Sequence, residues 1–264
     1  MRELSKRILT GFIAGPAVLA LFLFLPPFGF FLLVVFLSGA AVYEATRLAG
    51  ARRKGMITCL SLLLLLPLYF ALFPFAVGWL TLSPVIFLFV EYMSRVAEER
   101  DVNREIVHSV ACLVMCQIFL VVPLYHLSLL REEGRYIPLV LLLSLWASDV
   151  MAYFVGKNFG KRLLVPRISP KKTWAGLGGA LAGGVIIVVL ARAILHIDLW
   201  HAIAAGILVG LLGQAGDIFE SAAKRIFGAK DSSGLIPGHG GILDRLDSFI
   251  FTAPFFYYFL YGVP

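Results

Sequence analysis

The sequence predicts an all-α polytopic membrane protein with about nine transmembrane helices and a cytoplasmic N-terminus. Three observations carry that prediction. First, 60% of the 264 residues are hydrophobic and only 15% charged, with a mean hydropathy of +0.90. Soluble domains run near 45–50% apolar and about 25% charged. Second, the apolar residues are blocked into long runs; residues 19–37 read LALFLFLPPFGFFLLVVFL. Third, short basic stretches separate the runs in a lopsided way. With the N-terminus inside, only Arg131, Arg135 and Arg192 fall on the outer side, and the other 20 of the 23 Lys and Arg fall on the cytoplasmic side. That asymmetry is the positive-inside pattern. Together these features exclude a soluble globular domain, a disordered chain and a disulfide scaffold. The net charge of +7 reads as a topology signal and a match to anionic lipid headgroups, not as a nucleic-acid footprint.

A helix needs about 20 apolar residues to cross the hydrocarbon. Candidate spans fall at 8–25, 28–48, 56–73, 75–94, 105–128, 136–156, 174–196, 200–226 and 248–262. The first follows a basic N-terminus and has no small-residue cleavage site before the next apolar block, so it reads as an uncleaved span. Pro26 and Pro27 make a tight hairpin between the first two spans. The third to fifth carry little polar chemistry beyond Glu91 and Gln117, and the second carries Glu44. Glu44 precedes Arg47 and Glu91 precedes Arg95 by about one turn, which predicts local pairing near the cytoplasmic surface. Cys59, Cys112 and Cys116 all lie inside apolar runs and read as core or lipid-facing residues. The seventh span opens as WAGLGGALAGG, whose small residues allow close packing against a partner and so leave room for a homodimer. The ninth is short, hence tilted or re-entrant. The chain divides into an N-terminal bundle of about five spans, 1–130, and a catalytic transmembrane region, 131–264, with two cytoplasmic active-site loops.

Acids inside a bilayer cost several kcal/mol and usually mark function. Asp149 lies eight residues before Lys157 in the sixth span, and Asp217 seven before Lys224 in the eighth. Both spans run from outside to inside, so both carboxylates sit roughly 10–12 Å below the cytoplasmic helix ends. Two acids at one depth suit a metal site or a proton site; the bland reading is a buried carboxylate paired with a nearby cation. Gln214, Asp217, Ser221, Lys224 and Arg225 follow steps of three and four and share a helix face.

The cytoplasmic loops add phosphate chemistry. The loop after the sixth span contains six cations and the segment Ser169-Pro170-Lys171-Lys172-Thr173 before Trp174. Hydroxyls, lysines and the amides of a helix start would face an anion there; a topogenic cluster accounts for the cation count equally well. After the eighth span, Lys230 and Asp231 precede a Ser-Ser-Gly turn, and Gly238-His239-Gly240-Gly241 lets backbone approach a ligand closely. Asp244 and Asp247 come next, three apart with Arg245 between them, a hard-oxygen pair suited to magnesium. Glycines, lysines and paired aspartates read together as metal-assisted phosphoryl or nucleotidyl transfer.

At these residues the sequence resembles the phosphatidate cytidylyltransferases, or CDP-diacylglycerol synthases. The resemblance rests on Ser221, Lys224, Arg225, Lys230, Asp231, Pro237, His239, Gly240, Gly241, Asp244, Arg245 and Asp247. Upstream, Asp149, Ala152, Tyr153, Gly156 and residues 169–174 also resemble the family. Ala223 and Ala175 stand where relatives often carry a larger apolar and a polar residue, and neither is assigned a role. The match covers roughly 144–250. It implies transfer of the cytidylyl group of CTP to phosphatidic acid with a magnesium ion, and with room for a second cation, in the inner membrane with the active site facing the cytoplasm. By the same resemblance, Asp217, Asp244 and Asp247 hold metal and, with Lys224 and Arg245, are catalytic. Ser169, Lys171, Lys172, Thr173, Arg225, Lys230, Asp231, His239, Gly240, Gly241 and Asp149 bind substrate. The site is expected to be a polar recess open to the cytosol, bordered by the sixth, eighth and ninth spans. A related CTP-dependent lipid transferase or kinase, and a cation-coupled transporter built on Asp149 and Asp217, are the competing readings.

Overall fold

The computed structural model describes residues 2–94, 103–229, 231–233 and 240–262. Twelve α-helices account for most of these residues. In chain order they are α1 (Arg2–Phe24), α2 (Pro27–Leu48), α3 (Lys54–Leu63), α4 (Leu65–Tyr69), α5 (Phe73–Met93), α6 (Asn103–Cys116), α7 (Val122–Glu133), α8 (Ile137–Phe159), α9 (Trp174–Leu190), α10 (Arg192–Leu195), α11 (Leu199–Ile226) and α12 (Leu243–Tyr261). A π-helical turn over Gln117–Val121 joins α6 to α7. Among the described residues five helical stretches are long and apolar enough to cross a membrane: Pro27–Leu48, Phe73–Met93, Arg104–Glu133, Ile137–Phe159 and Leu199–Ile226. Shorter apolar helices cover Ala14–Phe24, Lys54–Tyr69 and Trp174–Leu190. The chain is thus an all-α membrane protein, and one hydrophobic core runs from Phe22 near its beginning to Phe256 near its end.

Helix starts and breaks follow from local chemistry. Pro27 opens α2 at the position where a missing N–H costs nothing. Asp198 caps α11 by accepting from Trp200 N and His201 N at 2.8 and 3.0 Å. The third candidate span is broken at Leu64, just before Pro67 removes a backbone donor. The π turn presents Gln117, fully buried, whose amide donates to Ser83 Oγ at 2.9 Å and to Leu60 O at 3.3 Å. On the α1–α2 hairpin, Arg131 donates to Phe22 O at 3.0 Å and also to Leu25 O, fastening the turn to α7.

The 160–173 segment is not the plain cationic loop that its composition predicts. Leu163–Val165 (β1) and Ser169–Thr173 (β2) form a small antiparallel hairpin with Leu163 opposite Thr173 and Val165 opposite Ser169. Thr173 ends the hairpin and caps α9, its hydroxyl accepting from Gly176 N at 3.0 Å.

Close backbone approach brings α8, α9 and α11 into one layer. A Cβ on Gly183 of α9 would lie 2.5 Å from Ala147 O of α8. A Cβ on Gly206 of α11 would lie 2.7 Å from Val185 N of α9, and one on Gly210 would lie 2.7 Å from Ala180 O. The small residues of the seventh span, expected to pack on a partner, are therefore mostly spent inside the chain. Gly206→Ala should lower the unfolding midpoint of the detergent-solubilised protein, because overpacking a tight contact costs about 1–3 kcal/mol. Gly178 meets nothing within 4 Å, so Gly178→Ala should leave the midpoint unchanged or slightly raised. Equal effects at the two positions would contradict this packing.

Candidate active site

Three elements converge around the acids of α8, α11 and α12. Gly216 of α11 lies so close to Asp247 of α12 that a Cβ there would meet the Asp247 carbonyl. Gly213 likewise sits under Leu145 of α8, where a Cβ would come within 2.8 Å of its Cδ2. This brings Asp149, Asp217 and Asp247 near enough to act on one another electrostatically, with Lys172 and Arg245 acting on Asp149.

The β hairpin delivers a cation into this recess. Lys172 Nζ lies 2.8 Å from Asp217 Oδ2 and 2.7 Å from Gln214 Oε1. The Gln214 amide nitrogen in turn donates to Asp149 Oδ1 at 3.2 Å, and Ser221 Oγ donates to Asp217 Oδ1 at 3.2 Å. Asp149 and Asp217 therefore do share a level, joined through Gln214 and Lys172. Successive residues of a strand point to opposite faces, and only one of the two adjacent lysines reaches the acids. The Lys172 side chain is 14% exposed, whereas Lys171 stays exposed beside it. Asp149 is exposed and Asp217 keeps 35% of its side chain accessible, so the recess is open.

A second cluster lies nearer the C-terminal end of α11. Lys224 Nζ is 2.6 Å from Asp244 Oδ1 and also pairs with Glu220, one turn earlier on α11. Asp244 Oδ2 accepts from Gly241 N at 2.7 Å and from Ser232 Oγ at 2.9 Å. Asp244 precedes the last apolar span. Burial alone would push its carboxyl up, but the bonds from Lys224 and Gly241 N–H outweigh that and hold it at about 2, so it stays ionised. Gly240 adopts φ +83° directly beside Asp244 Oδ2, a conformation open to glycine at little cost.

The remaining residues singled out from sequence divide clearly. Asp247 Oδ1 accepts from Ser248 N at 2.6 Å. Thr173 spends its hydroxyl on capping α9, and Ser169 lies at the start of β2, paired with Val165. Arg225 donates to Ala229 O at 3.1 Å on the exposed end of α11, and Asp231 is exposed. Lys230, Pro237 and His239 lie outside the described residues. Two acids carry more than sequence reasoning assigns them. Glu220 stands four residues before Lys224, an i, i+4 pairing that the spacing did offer. Glu44 does not serve Arg47; it accepts from Ser233 Oγ at 2.6 Å and Leu243 N at 2.8 Å. Glu91 pairs with Arg53, and Arg95 lies outside the described residues.

Residues 5–263 match the Cytidylyltransferase family. The chain belongs to that family. It is 30% identical over 272 residues to a phosphatidate cytidylyltransferase of Bacillus subtilis, covering 98% of each chain. It is 34% identical over 256 residues to a phosphatidate cytidylyltransferase of Aquifex aeolicus, covering 96% of this chain and 90% of that one. An uncharacterized protein of Escherichia coli, YnbB, is 44% identical over 134 residues, which is 49% of this chain and 44% of that protein.

If Lys172 holds a phosphate, an arginine would serve in part, because an ammonium is a point charge with few geometric demands. Lys172→Ala should lower activity and weaken the response to nucleoside triphosphate, and Lys172→Arg should recover part of both. Steady-state rates against CTP concentration check this. An unchanged response in Lys172→Ala would leave the lysine as a topology signal only.

Proposed function

We infer that the chain is an integral membrane nucleotidyltransferase that converts CTP and phosphatidic acid to CDP-diacylglycerol and pyrophosphate in phospholipid synthesis. One observation carries the reading beyond the family: two lysines, Lys172 and Lys224, are held in a recess by Asp217 and Asp244 at 2.8 and 2.6 Å. Two polyanions must meet in this reaction, so positioned cations matter more than a strong base. A lipid monophosphate is already ionised near pH 7.

An oxygen of the lipid phosphate attacks the α-phosphorus of CTP. The new phosphorus–oxygen bond forms as the bond from the α-phosphorus to the oxygen bridging the β-phosphate breaks, and pyrophosphate leaves with that electron pair. Lys172 and Lys224 exchange their carboxylate partners for phosphate oxygens, and Arg245 offers a bidentate fork beside Asp149. Arg225 and Lys171, both exposed, extend the cationic rim toward the cytosol, and Lys230 binds substrate with them. Ser169, Asp231 and His239 orient the nucleotide.

The acids suit a hard divalent cation, magnesium first, with room for a second. Among the described residues no three of His, Cys, Asp and Glu close around one point. The donor chemistry nonetheless fits: oxygens of Asp217 and Gln214 surround the Lys172 ammonium, and oxygens of Asp244 and Glu220 surround that of Lys224. Asp217, Asp244 and Asp247 are the proposed holders, with Asp149 ordering the cationic hairpin. When bound, the cation neutralises phosphate charge and polarises the phosphoryl group under attack.

Nine spans, an inside N-terminus and an active site on the cytoplasmic face of the inner membrane complete the proposal, supported by the separation of Lys and Arg along the chain. In a background lacking the native cysteines, Lys171→Cys should resist an impermeant thiol reagent applied to intact cells, and Arg135→Cys should react. The reverse result would invert the topology.

Purified protein given labelled CTP and phosphatidic acid in mixed micelles should move label into lipid. Chelation should stop this and magnesium restore it. Asp217→Asn should cut the rate at least about a hundredfold, the scale on which lost transition-state charge stabilisation registers. Protein yield is measured in parallel and the rate expressed per folded protein, since the variant leaves the Lys172 ammonium without its counter-charge. No label in lipid from the wild type would overturn the function. Near-normal turnover of Asp217→Asn with unchanged magnesium dependence would remove that acid from the metal.

A further inference from the structure

Glu44 belongs to α2, in the half of the chain where sequence patterns point to no chemistry. Its carboxylate is 4% exposed. Oε1 accepts from Ser233 Oγ at 2.6 Å and from Ile242 N at 3.1 Å. Oε2 accepts from Leu243 N at 2.8 Å and lies 3.1 Å from Ser232 Oγ. Ile242 and Leu243 begin α12, and Ile242 supplies no side-chain cap of its own. Glu44 is therefore the cap of α12, supplied from another helix 198 residues away in sequence. An anion at this end is favoured by the helix dipole as well as by the free amides.

The same carboxylate also governs the first turn of α12. Ser232 Oγ stands between Glu44 Oε2 and Asp244 Oδ2, at 3.1 and 2.9 Å, and Ser232 N donates to Asp244 at 3.1 Å. Asp244 in turn holds Lys224. A Cβ on Gly241 would collide with Glu44 Oε2 and Ser232 Oγ, so this glycine clears space for the carboxylate. We propose that Glu44 is a positioning residue for the cytidylyl-transfer site: through Ser232 and the first turn of α12 it fixes Asp244, and through Asp244 it fixes Lys224. The inference rests on the nucleotidyltransferase reading above, because it assigns a role within that site.

Two readouts separate positioning from simple structural support. The first is the split between kcat and the KM for CTP at saturating phosphatidic acid. Glu44→Gln keeps the shape but turns an amide NH2 toward donors, and kcat should fall about 10–100-fold, as for other residues that orient a ligand-bearing side chain. Glu44→Asp keeps the charge with a shorter reach and should recover part of that loss. The second readout is hydrogen–deuterium exchange without substrate: the amides of 240–246 should exchange faster in Glu44→Gln while those of α8 and α9 stay as in the wild type. Ser232→Ala should lower kcat in the same direction, and adding it to Glu44→Gln should cost little more, since both act on one path. If Glu44→Gln does not fold, Ser233→Ala, which removes a donor to Glu44, and Ser232→Ala, which removes the hydroxyl between Glu44 and Asp244, carry the test. Wild-type kcat in the variants, additive losses in the double variant, or faster exchange spread over the whole protein would overturn the inference. A wild type that moves no label into lipid would instead sink the underlying reaction.

Discussion

A charge recessed among apolar helices is stable only when a counter-charge and hydrogen bonds meet it. The Lys172–Asp217 and Lys224–Asp244 pairs meet that demand, and most of the architecture around them exists to let them form. Asp217 stands inside a 28-residue helix, α11. Its partner cannot come from α11's own next turn, where Ser221 stands. It comes instead from a hairpin that folds back after α8. For that hairpin to reach, α9 must follow it directly and lie tight against both α8 and α11. The glycines of α9 and α11 make this approach: at Gly183 and Gly210 a side chain would strike the backbone of the facing helix. Gly156 of α8 serves the hairpin itself, since a Cβ there would lie 3.0 Å from Thr173 Oγ1. Packing density in this layer is thus set by the need to deliver one ammonium to one carboxylate.

On the proposed function, ion pairs of this kind would also give the site its selectivity. A lysine already bound to carboxylate gains little from a weakly charged visitor. A triphosphate or a lipid monophosphate carries enough charge to take the ammonium over, and a cation arriving with it compensates the acids left behind. Substrate and metal would then enter as matched charges. The net charge of the recess changes little, and that suits a pocket bordered by hydrocarbon.

Much of this site is legible in the sequence because it depends on periodicity and depth. Steps of three and four put Gln214, Asp217, Ser221 and Lys224 on one face, and Ser221 does bond to Asp217. Counting residues to the lysines that follow, Lys157 and Lys224, places Asp149 level with Asp217, and Gln214 joins them. The illegible part depends on contacts far apart in sequence or on short-range geometry that cations obscure. Glu44 has Arg47 within one turn, so a local pair is the simplest expectation; its real partners lie 188 or more residues away, beyond any periodic signal. The hairpin hides inside a segment dominated by its cations. Its clues are Leu163–Val165, three apolar residues before Pro166, and the turn after them. The glycine stripe of α9 is legible as close packing, yet sequence carries no mark of whether the facing surface belongs to the same chain.

The glycines near His239 change meaning for the same reason. From sequence they read as backbone cleared for a ligand. In the fold, Gly241 is cleared for Glu44 and Ser232, and Gly240 takes its positive φ against Asp244. The amides of Ile242 and Leu243 at the head of α12 are bound to Glu44, and Gly176 N at the head of α9 is bound to Thr173. Helix N-termini are ready anion sites only while their amides are free. Here Gly176 N, Ile242 N and Leu243 N at these two helix starts are engaged by the protein's own oxygens. On the proposed function, recognition of phosphate would then fall mainly to side-chain cations, which can move between carboxylate and phosphate. A fixed backbone amide cannot make that exchange, and a site that must take up two polyanions and release pyrophosphate is better served by groups that can.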